Sequence, residues 1–415
     1  MSYAPRIVDE LISSAIDSAG AVVLRGARAV GKTRTAQRFA KSTLFLDSSD
    51  PRAILAREQP RLALEGETPR LLDEWQVVPE IWNEVRHEVD ARATAGQFIL
   101  SGSAIPPEND KRHSGAGRFR QILMRTMSFL ETGHSTGQIS LAKIFENPAI
   151  EIVESRLEFD EVVERMVIGG WPGWRNRSER DAIDHMNSYL TDIAEHDFVQ
   201  IAGTRRDPRR LIAYLRSIAS MIGQPTSYAT LTSRMTEVAA LEVGPAAASQ
   251  LHDLASRLFL VEDQPAWAPK LRSKTAALQT PKRHLTDPSM AATLLGAGAD
   301  RLISETETLG FVFESQVVHD LRVYAQAMAA REVAHYRDVK GRDEIDVIVE
   351  NDRGDWLAIE VKLGSNRVEE AANQLLRVTQ KMVRPPAACV VIVPTGITHV
   401  RKDGVLVVPL TVLGP

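Results

Sequence analysis

"AVVLRGARAVGKTRTAQRFAKS", Ala21–Ser42, decides how the first third of the chain is read. "AVVLRG" (21–26) is an apolar run of strand length, and "KTRTAQRFAKS" (32–42) has the composition of a helix. Between them "GARAVGKT", Gly26 to Thr33, matches G-x-x-x-x-G-K-[ST] at every fixed position. The spacing has a chemical reason. Gly26 and Gly31 let backbone N–H groups wrap a phosphate, and the helix N-terminus adds positive potential. Lys32 is placed to reach β- and γ-phosphates, and the Thr33 hydroxyl to bind Mg²⁺. Arg28, inside the loop, either contacts phosphate or covers the loop.

A phosphate loop of this kind needs acids at the end of a neighbouring strand. "LLDEWQ" (71–76) supplies them: Asp73 to position Mg²⁺ and Glu74 as general base. The next apolar run, "FILSGSA", ends in Ser101 and Ser103, where a polar contact to the γ-phosphate is expected. Short apolar runs at 21–26, 43–50, 69–75 and 96–104 alternate with helical patterns, so this part should be a parallel sheet covered on both faces.

At 415 residues the chain calls for two to four domains, and 44% hydrophobic and 25% charged residues are ordinary globular values. A net charge of −4 restricts any nucleic-acid role to local basic segments, of which "TRRDPRR" (204–210) and "KLRSKTAALQTPKRH" (270–284) are the candidates, with salt bridging between domains as the equal alternative. Cys389 is the single cysteine, which excludes an internal disulfide and fits a reducing cytoplasm. The start of the chain lacks a signal-peptide pattern and the apolar runs are too short to span a bilayer, so a cytoplasmic protein without membrane contact is expected. "IPPENDKRHSGAGRFR" (105–120) reads as a loop.

Near the other end, "EIDVIVENDRGDWLAIEVKLG" (344–364) reads as two strands and a turn, following a strongly periodic helix at 307–328. Side chains alternate along a strand, so Glu360 and Lys362 share a face. If the strands pair as a hairpin, Asp346 approaches Glu360, and two carboxylates can hold Mg²⁺ or Mn²⁺. Glu314, from the preceding helix, is a further ligand candidate. Lys362 would activate water and stabilise charge on a phosphate. The competing reading is a solvated surface hairpin.

"LLDEW" followed by "FILSGSA" resembles AAA-type ATPases, in which an arginine reads the γ-phosphate, often from a neighbouring subunit. Arg118 and the 204–210 cluster are the candidates that resemblance implies, and it makes a second copy of the chain a candidate partner. The Asp346, Glu360, Lys362 pattern resembles the PD-(D/E)xK nuclease superfamily. Together with "GGWP", "RLFLVED" and "ETLGFVFE", these motifs are similar to a family of bacterial and archaeal ATP-binding proteins. Its members join an AAA-type domain to a C-terminal region with a restriction-endonuclease-like fold.

The expected fold class is therefore α/β, in four parts. Residues 1–145 form a P-loop domain, 146–205 a helical lid-like region, and 206–285 a winged-helix-like or small helical module. Residues 286–415 form the nuclease-like α/β domain. The leading functional expectation is ATP hydrolysis controlling a DNA-handling domain. The alternative is an ATP-gated switch or scaffold whose nuclease-like part only binds DNA or a protein partner.

Overall fold

The computed structural model describes residues 3–105, 115–201, 207–269, 279–338 and 340–415. The expected loop at 105–120 and the basic segments at 204–210 and 270–284 lie partly outside these residues.

The N-terminal sheet has five strands: β1 (Ala21–Arg25), β2 (Ser42–Phe45), β3 (Arg70–Asp73), β4 (Phe98–Gly102) and β5 (Phe119–Leu123). All pairings are parallel, in the order β2-β3-β4-β1-β5. β1, β3 and β4 are buried along nearly their whole length, as interior strands of a sheet covered on both faces must be. β5 begins in the last two residues of the stretch expected to be a loop and runs beyond it. It is an edge strand whose Arg120 and Gln121 face solvent, so it lacks an apolar run. The helix after the phosphate loop is regular only over Lys32–Ala36. Its continuation tightens, with Arg38 N donating to Thr35 O and Phe39 N to Ala36 O.

Helices at Phe159–Ile168 and Glu179–Asp192 follow, the second running into a π-turn over Ile193–Asp197. Three more helices, Pro208–Ala219, Tyr228–Ala239 and Pro245–Arg257, precede a short ribbon formed by antiparallel bridges Val261↔Leu285 and Gln264↔Lys282. Before them, β6 (Ile139–Ser140) pairs in parallel with the last strand of the chain, Leu413–Gly414.

The C-terminal part opens with the helix Thr306–Ala327, nearly all buried from Val312 to Ala325. Then come β7 (Glu332–Arg337), β8 (Glu344–Glu350) and β9 (Trp356–Val361), an antiparallel meander. The helix Val368–Thr379 crosses over to β10 (Ala388–Val393), parallel to β9. β11 (His399–Val400) and β12 (Leu406–Pro409) complete a mixed sheet of order β11-β12-β10-β9-β8-β7, and Leu413–Gly414 is β13. One apolar core runs from Val22 and Leu24 of β1 through the middle helices to Val347 and Ile359, so the parts pack as one body.

Candidate functional site

Two buried lysines, Lys32 and Lys282, each mark a polar centre of the molecule.

The first lies at the C-terminal ends of β1, β3 and β4. Parallel register places Asp73 beside Ser101 and Arg25 beside Gly102. Gly26 leaves β1 with φ 153°, and a Cβ there would meet the Met124 carbonyl oxygen at 2.1 Å, so only glycine fits. Gly31, at φ 97°, caps the helix in the left-handed region. Lys32 is 5% exposed, and its Nζ donates to the carbonyls of Gly26 (3.0 Å) and Ala27 (2.8 Å). Burial lowers its pKa to about 8, against the opposing pull of Glu74 and Asp73. It is therefore a desolvated ammonium held by backbone oxygens alone.

Thr33 Oγ1 donates to both oxygens of Asp73, at 3.0 Å each, and Ser101 Oγ donates to Asp73 as well. Burial pushes the Asp73 carboxyl upward although these hydroxyls pull it back. Glu74 follows in a left-handed conformation, φ 53°, uncommon for a non-glycine residue and of the kind found at functional sites. That turn swings its carboxylate away from Asp73's pocket to accept from Ser103 Oγ (3.1 Å) and from Gln76 Nε2. Six of the expected polar groups, Lys32, Thr33, Asp73, Glu74, Ser101 and Ser103, thus gather at the C-terminal end of the sheet. Thr33 and Asp73 are the oxygen donors that would hold Mg²⁺, which would supply neutralising charge to phosphate oxygens.

Arg28 and Arg118 part from this group. Arg28 is half-exposed and its Nη1 pairs with Asp197 at 3.2 Å, while its carbonyl accepts from Tyr189; it covers the loop from the helical side. Arg118 precedes β5, which starts level with Ala21, so it sits at the opposite end of the sheet, about 20 Å of strand from Gly26. There it pairs with Asp90 at 2.8 Å. Within its own chain it does not meet the phosphate loop, so it could read a γ-phosphate only from a neighbouring copy.

Sequence reasoning missed the residues that support the loop from below. Arg6, 6% exposed, donates to the Val30 carbonyl (2.9 Å), to the Arg125 carbonyl (2.8 Å) and to Glu131 (2.9 Å). Beside it lies a pocket of about 230 Å³ lined by Tyr3, Arg34, Thr35, Met127, Pro172 and Arg175 among others. Pro172 comes from the "GGWP" stretch, the one signal in the sequence for this wall.

The second centre is in the C-terminal sheet. The β8–β9 register, Val347 opposite Ile359, sets Asp346 opposite Glu360 on one face, as hairpin parity predicts. Lys362 Nζ lies 2.8 Å from Glu360 and 3.6 Å from Asp346. Glu314 reaches the cluster from the helix Thr306–Ala327. What fills the space between these acids is Lys282: its Nζ lies 2.7 Å from Glu314, 3.1 Å from Glu344 and 3.6 Å from Asp346. Gln374 Nε2 donates to the Glu344 carbonyl (3.0 Å) and to Glu360 (3.4 Å).

Lys282, Glu344 and Gln374 carry no motif signal. Lys282 belonged to the stretch expected to attract DNA, yet Lys282 and Arg283 are 2% and 4% exposed. Their charges face inward into ion pairs, so the described part of the segment follows the salt-bridging alternative and not the DNA-facing one. The cluster also does not fit the expected metal. Among the described residues no group of three or more Asp, Glu, His or Cys is disposed to hold one, and here an ammonium stands among Glu314, Glu344 and Asp346.

The electrostatics agree. Burial and the neighbouring Asp346 charge raise the Glu360 carboxyl well above its ordinary range, and burial raises Glu314. Burial would lower Lys282, but Glu314, Asp346 and Glu344 outweigh it and hold the ammonium charged. Asp346 stays ionised because Lys282 and Lys362 overcome its burial. The cluster is close to self-neutralised.

Residues 18–133 match an AAA domain, 159–301 a domain of unknown function (DUF8612), and 309–413 a second one (DUF4143). The N-terminal part is an AAA domain. The AAA domain contains both the phosphate loop and the Asp73–Glu74 strand end, and the DUF4143 region contains Glu314, Asp346, Glu360 and Lys362. Uncharacterized proteins of Mycobacterium tuberculosis (Rv2008c) and Mycobacterium bovis (Mb2031c) are each 23% identical over 342 residues, spanning 81% of this chain and 69% of theirs. A Walker-type ATPase of Pyrococcus abyssi aligns over 69% of this chain and 94% of its own, at 14% identity and TM-score 0.43. Among the described residues no helix is long and apolar enough to cross a membrane.

Proposed function

We propose that the protein binds and hydrolyses ATP at the AAA domain and that the nucleotide state is read by the C-terminal domain. The observation that carries the first half is the convergence of Lys32, Thr33, Asp73 and Ser101, with Glu74 turned aside onto Ser103. Lys32 would exchange its two carbonyl acceptors for phosphate oxygens, which are charged and therefore stronger partners. The loop N–H groups and the end of the helix Lys32–Ala36 would cradle the same oxygens. Glu74 would take a proton from the attacking water, and Ser103 and Gln76 hold its carboxylate in place until then. The pocket beside Tyr3, Met127 and Pro172 would receive the nucleoside end.

The second half rests on a chain of contacts leading away from the loop. Arg6 joins the Val30 carbonyl of the phosphate loop to the Arg125 carbonyl. Arg125 pairs with Glu262 of the middle module and donates to Gln326 of the helix Thr306–Ala327 (2.9 Å). Next to it, Thr126 Oγ1 meets His319 Nε2 (2.8 Å), His319 Nδ1 meets Asp320 (2.9 Å), and Asp320 accepts from Phe129 N (3.0 Å). Thr126, His319 and Asp320 are buried, so this Thr–His–Asp series is a fastening and not a catalytic triad. On the same helix, roughly 8–9 Å further along, Glu314 enters the second centre. A shift of the loop on nucleotide binding would thus bear directly on that helix.

Of the two readings for the C-terminal part, the switch is favoured over a cutting enzyme, because the Asp346–Glu360 pair is held by lysines. The test is ATP turnover with and without single- or double-stranded DNA. Wild type should hydrolyse ATP, Lys32→Ala should fail to bind it, and Glu74→Gln should bind but turn over about 10²–10⁴-fold more slowly. Normal turnover by Glu74→Gln would refute the base assignment, and DNA cleavage lost in Asp346→Ala would restore the nuclease reading.

A further inference from the structure

The acids of the C-terminal cluster come from three elements, yet the group they converge on comes from a fourth. Lys282 sits on the ribbon after the helix Pro245–Arg257, outside the C-terminal sheet. Its backbone exchanges both hydrogen bonds with Gln264, N to O at 3.0 and 2.9 Å. The Gln264 side chain in turn donates to the carbonyls of Ala334 on β7 (2.9 Å) and Asp346 on β8 (3.0 Å). His284, two residues on, meets Gln264 Oε1 (3.2 Å) and Ser315 Oγ (3.0 Å), the residue after Glu314. Three hydrogen bonds therefore lock the ribbon against the C-terminal domain, two of them on the strand and helix that present Asp346 and Glu314. A lysine delivered this way is 2% exposed and has a fixed position, unlike a flexible surface side chain that could swing clear.

A hard divalent ion needs several oxygen ligands at about 2.0–2.6 Å, and an ammonium needs acceptors near 2.7–3.1 Å on as many sides. Both demands select the same thing, a pocket of carboxylates converging on one point. Here that point is taken. Glu314, Glu344 and Asp346 surround Lys282 Nζ, and the remaining acid, Glu360, is engaged by Lys362 and Gln374. We propose that Lys282 is the resident cation of this cluster: the middle module inserts it where a divalent metal would have to sit. The C-terminal domain then folds around an ammonium and excludes the metal for as long as the ribbon is seated. The sequence pattern Asp346, Glu360, Lys362 is present, but the seat it would build is closed by a residue outside the pattern.

The test counts Mn²⁺ bound to the full chain without nucleotide, by the loss of the free-ion signal in electron paramagnetic resonance. ATP turnover is not a readout, so failure of the ATPase reading and failure of this one remain separate. Wild type and Asp346→Asn should bind the same number of Mn²⁺ ions. Lys282→Met should gain one, with affinity raised about tenfold or more, and Lys282→Met with Asp346→Asn should lose it again. Lys282→Arg, which keeps the charge, should gain none.

A Mn²⁺ ion on wild type that Asp346→Asn removes would overturn the proposal, as would a folded Lys282→Met that gains no ion. If Lys282→Met melts early and Mn²⁺ restores its melting temperature, that recovery counts as the gained site. If it does not fold with or without Mn²⁺, the wild-type count decides: an ion at the cluster refutes the proposal, and its absence upholds it.

Discussion

Lys32 and Lys282 are equally buried, yet their surroundings push them in opposite directions. Lys32 rests on two backbone carbonyls, and burial lowers its pKa to about 8. Lys282 rests among three carboxylates, which raise its pKa despite complete burial. The first ammonium is under-compensated, and a phosphate would complete it. The second is already compensated, and any further ligand would have to displace it. A buried charge marks a binding site when its partners are weak and an internal fastening when they are strong.

The largest effects should come from removing each charge in turn. Lys282→Met leaves Glu314, Glu344 and Asp346 facing one another, and should cost about 3–5 kcal/mol of stability in denaturant unfolding. Lys32→Met should stay within about 1 kcal/mol of wild type while losing ATP binding, since only two carbonyls lose a partner. Equal destabilisation by both would break the contrast.

Asp320→Ala comes next. It strips the acceptor from His319, Gln316 and Phe129 N in a fully buried setting, and a loss of about 3 kcal/mol is expected. Unfolding at the wild-type midpoint would show that the fastening between the AAA domain and the helix Thr306–Ala327 is slack.

The pH dependence sharpens the same comparison. A phosphate prefers the charged form of Lys32, so binding draws a proton onto it wherever the free group is neutral. ATP affinity should hold below pH 8 and fall above it, by up to about tenfold per pH unit. Titration between pH 7 and 9.5 checks this, and a flat profile would mean that Lys32 is not the depressed group. The smallest effect is assigned to Arg118→Ala, which should change turnover by less than about twofold, because its partner is Asp90 at the far end of the sheet. A larger loss that grows with protein concentration would instead indicate a role in a neighbouring copy.

Much of the first centre was legible because its parts are local. The phosphate loop is eight consecutive residues, and Asp73, Glu74, Ser101 and Ser103 sit where apolar runs stop. Hairpin parity likewise brought Asp346 to Glu360. What could not be read arrives over distance or without a hydrophobic signal. Lys282 joins Glu314 across 32 positions through a ribbon of two bridges, and in sequence it is only one more basic residue. β5 hides its strand character behind solvent-facing Arg120 and Gln121, so the position of Arg118 along the sheet could not be read. Without β5, nothing indicates which end of the sheet the arginine occupies.

The central claim is that nucleotide at the phosphate loop is felt by the helix that reaches the second centre. Amide hydrogen exchange on Glu74→Gln, with and without ATP, tests it most directly. The account predicts that ATP changes exchange in three places: the loop at 26–37, the segment 124–129, and the helix at 314–326. A change confined to 26–37 and 73–76, with the helix unaltered, would contradict it.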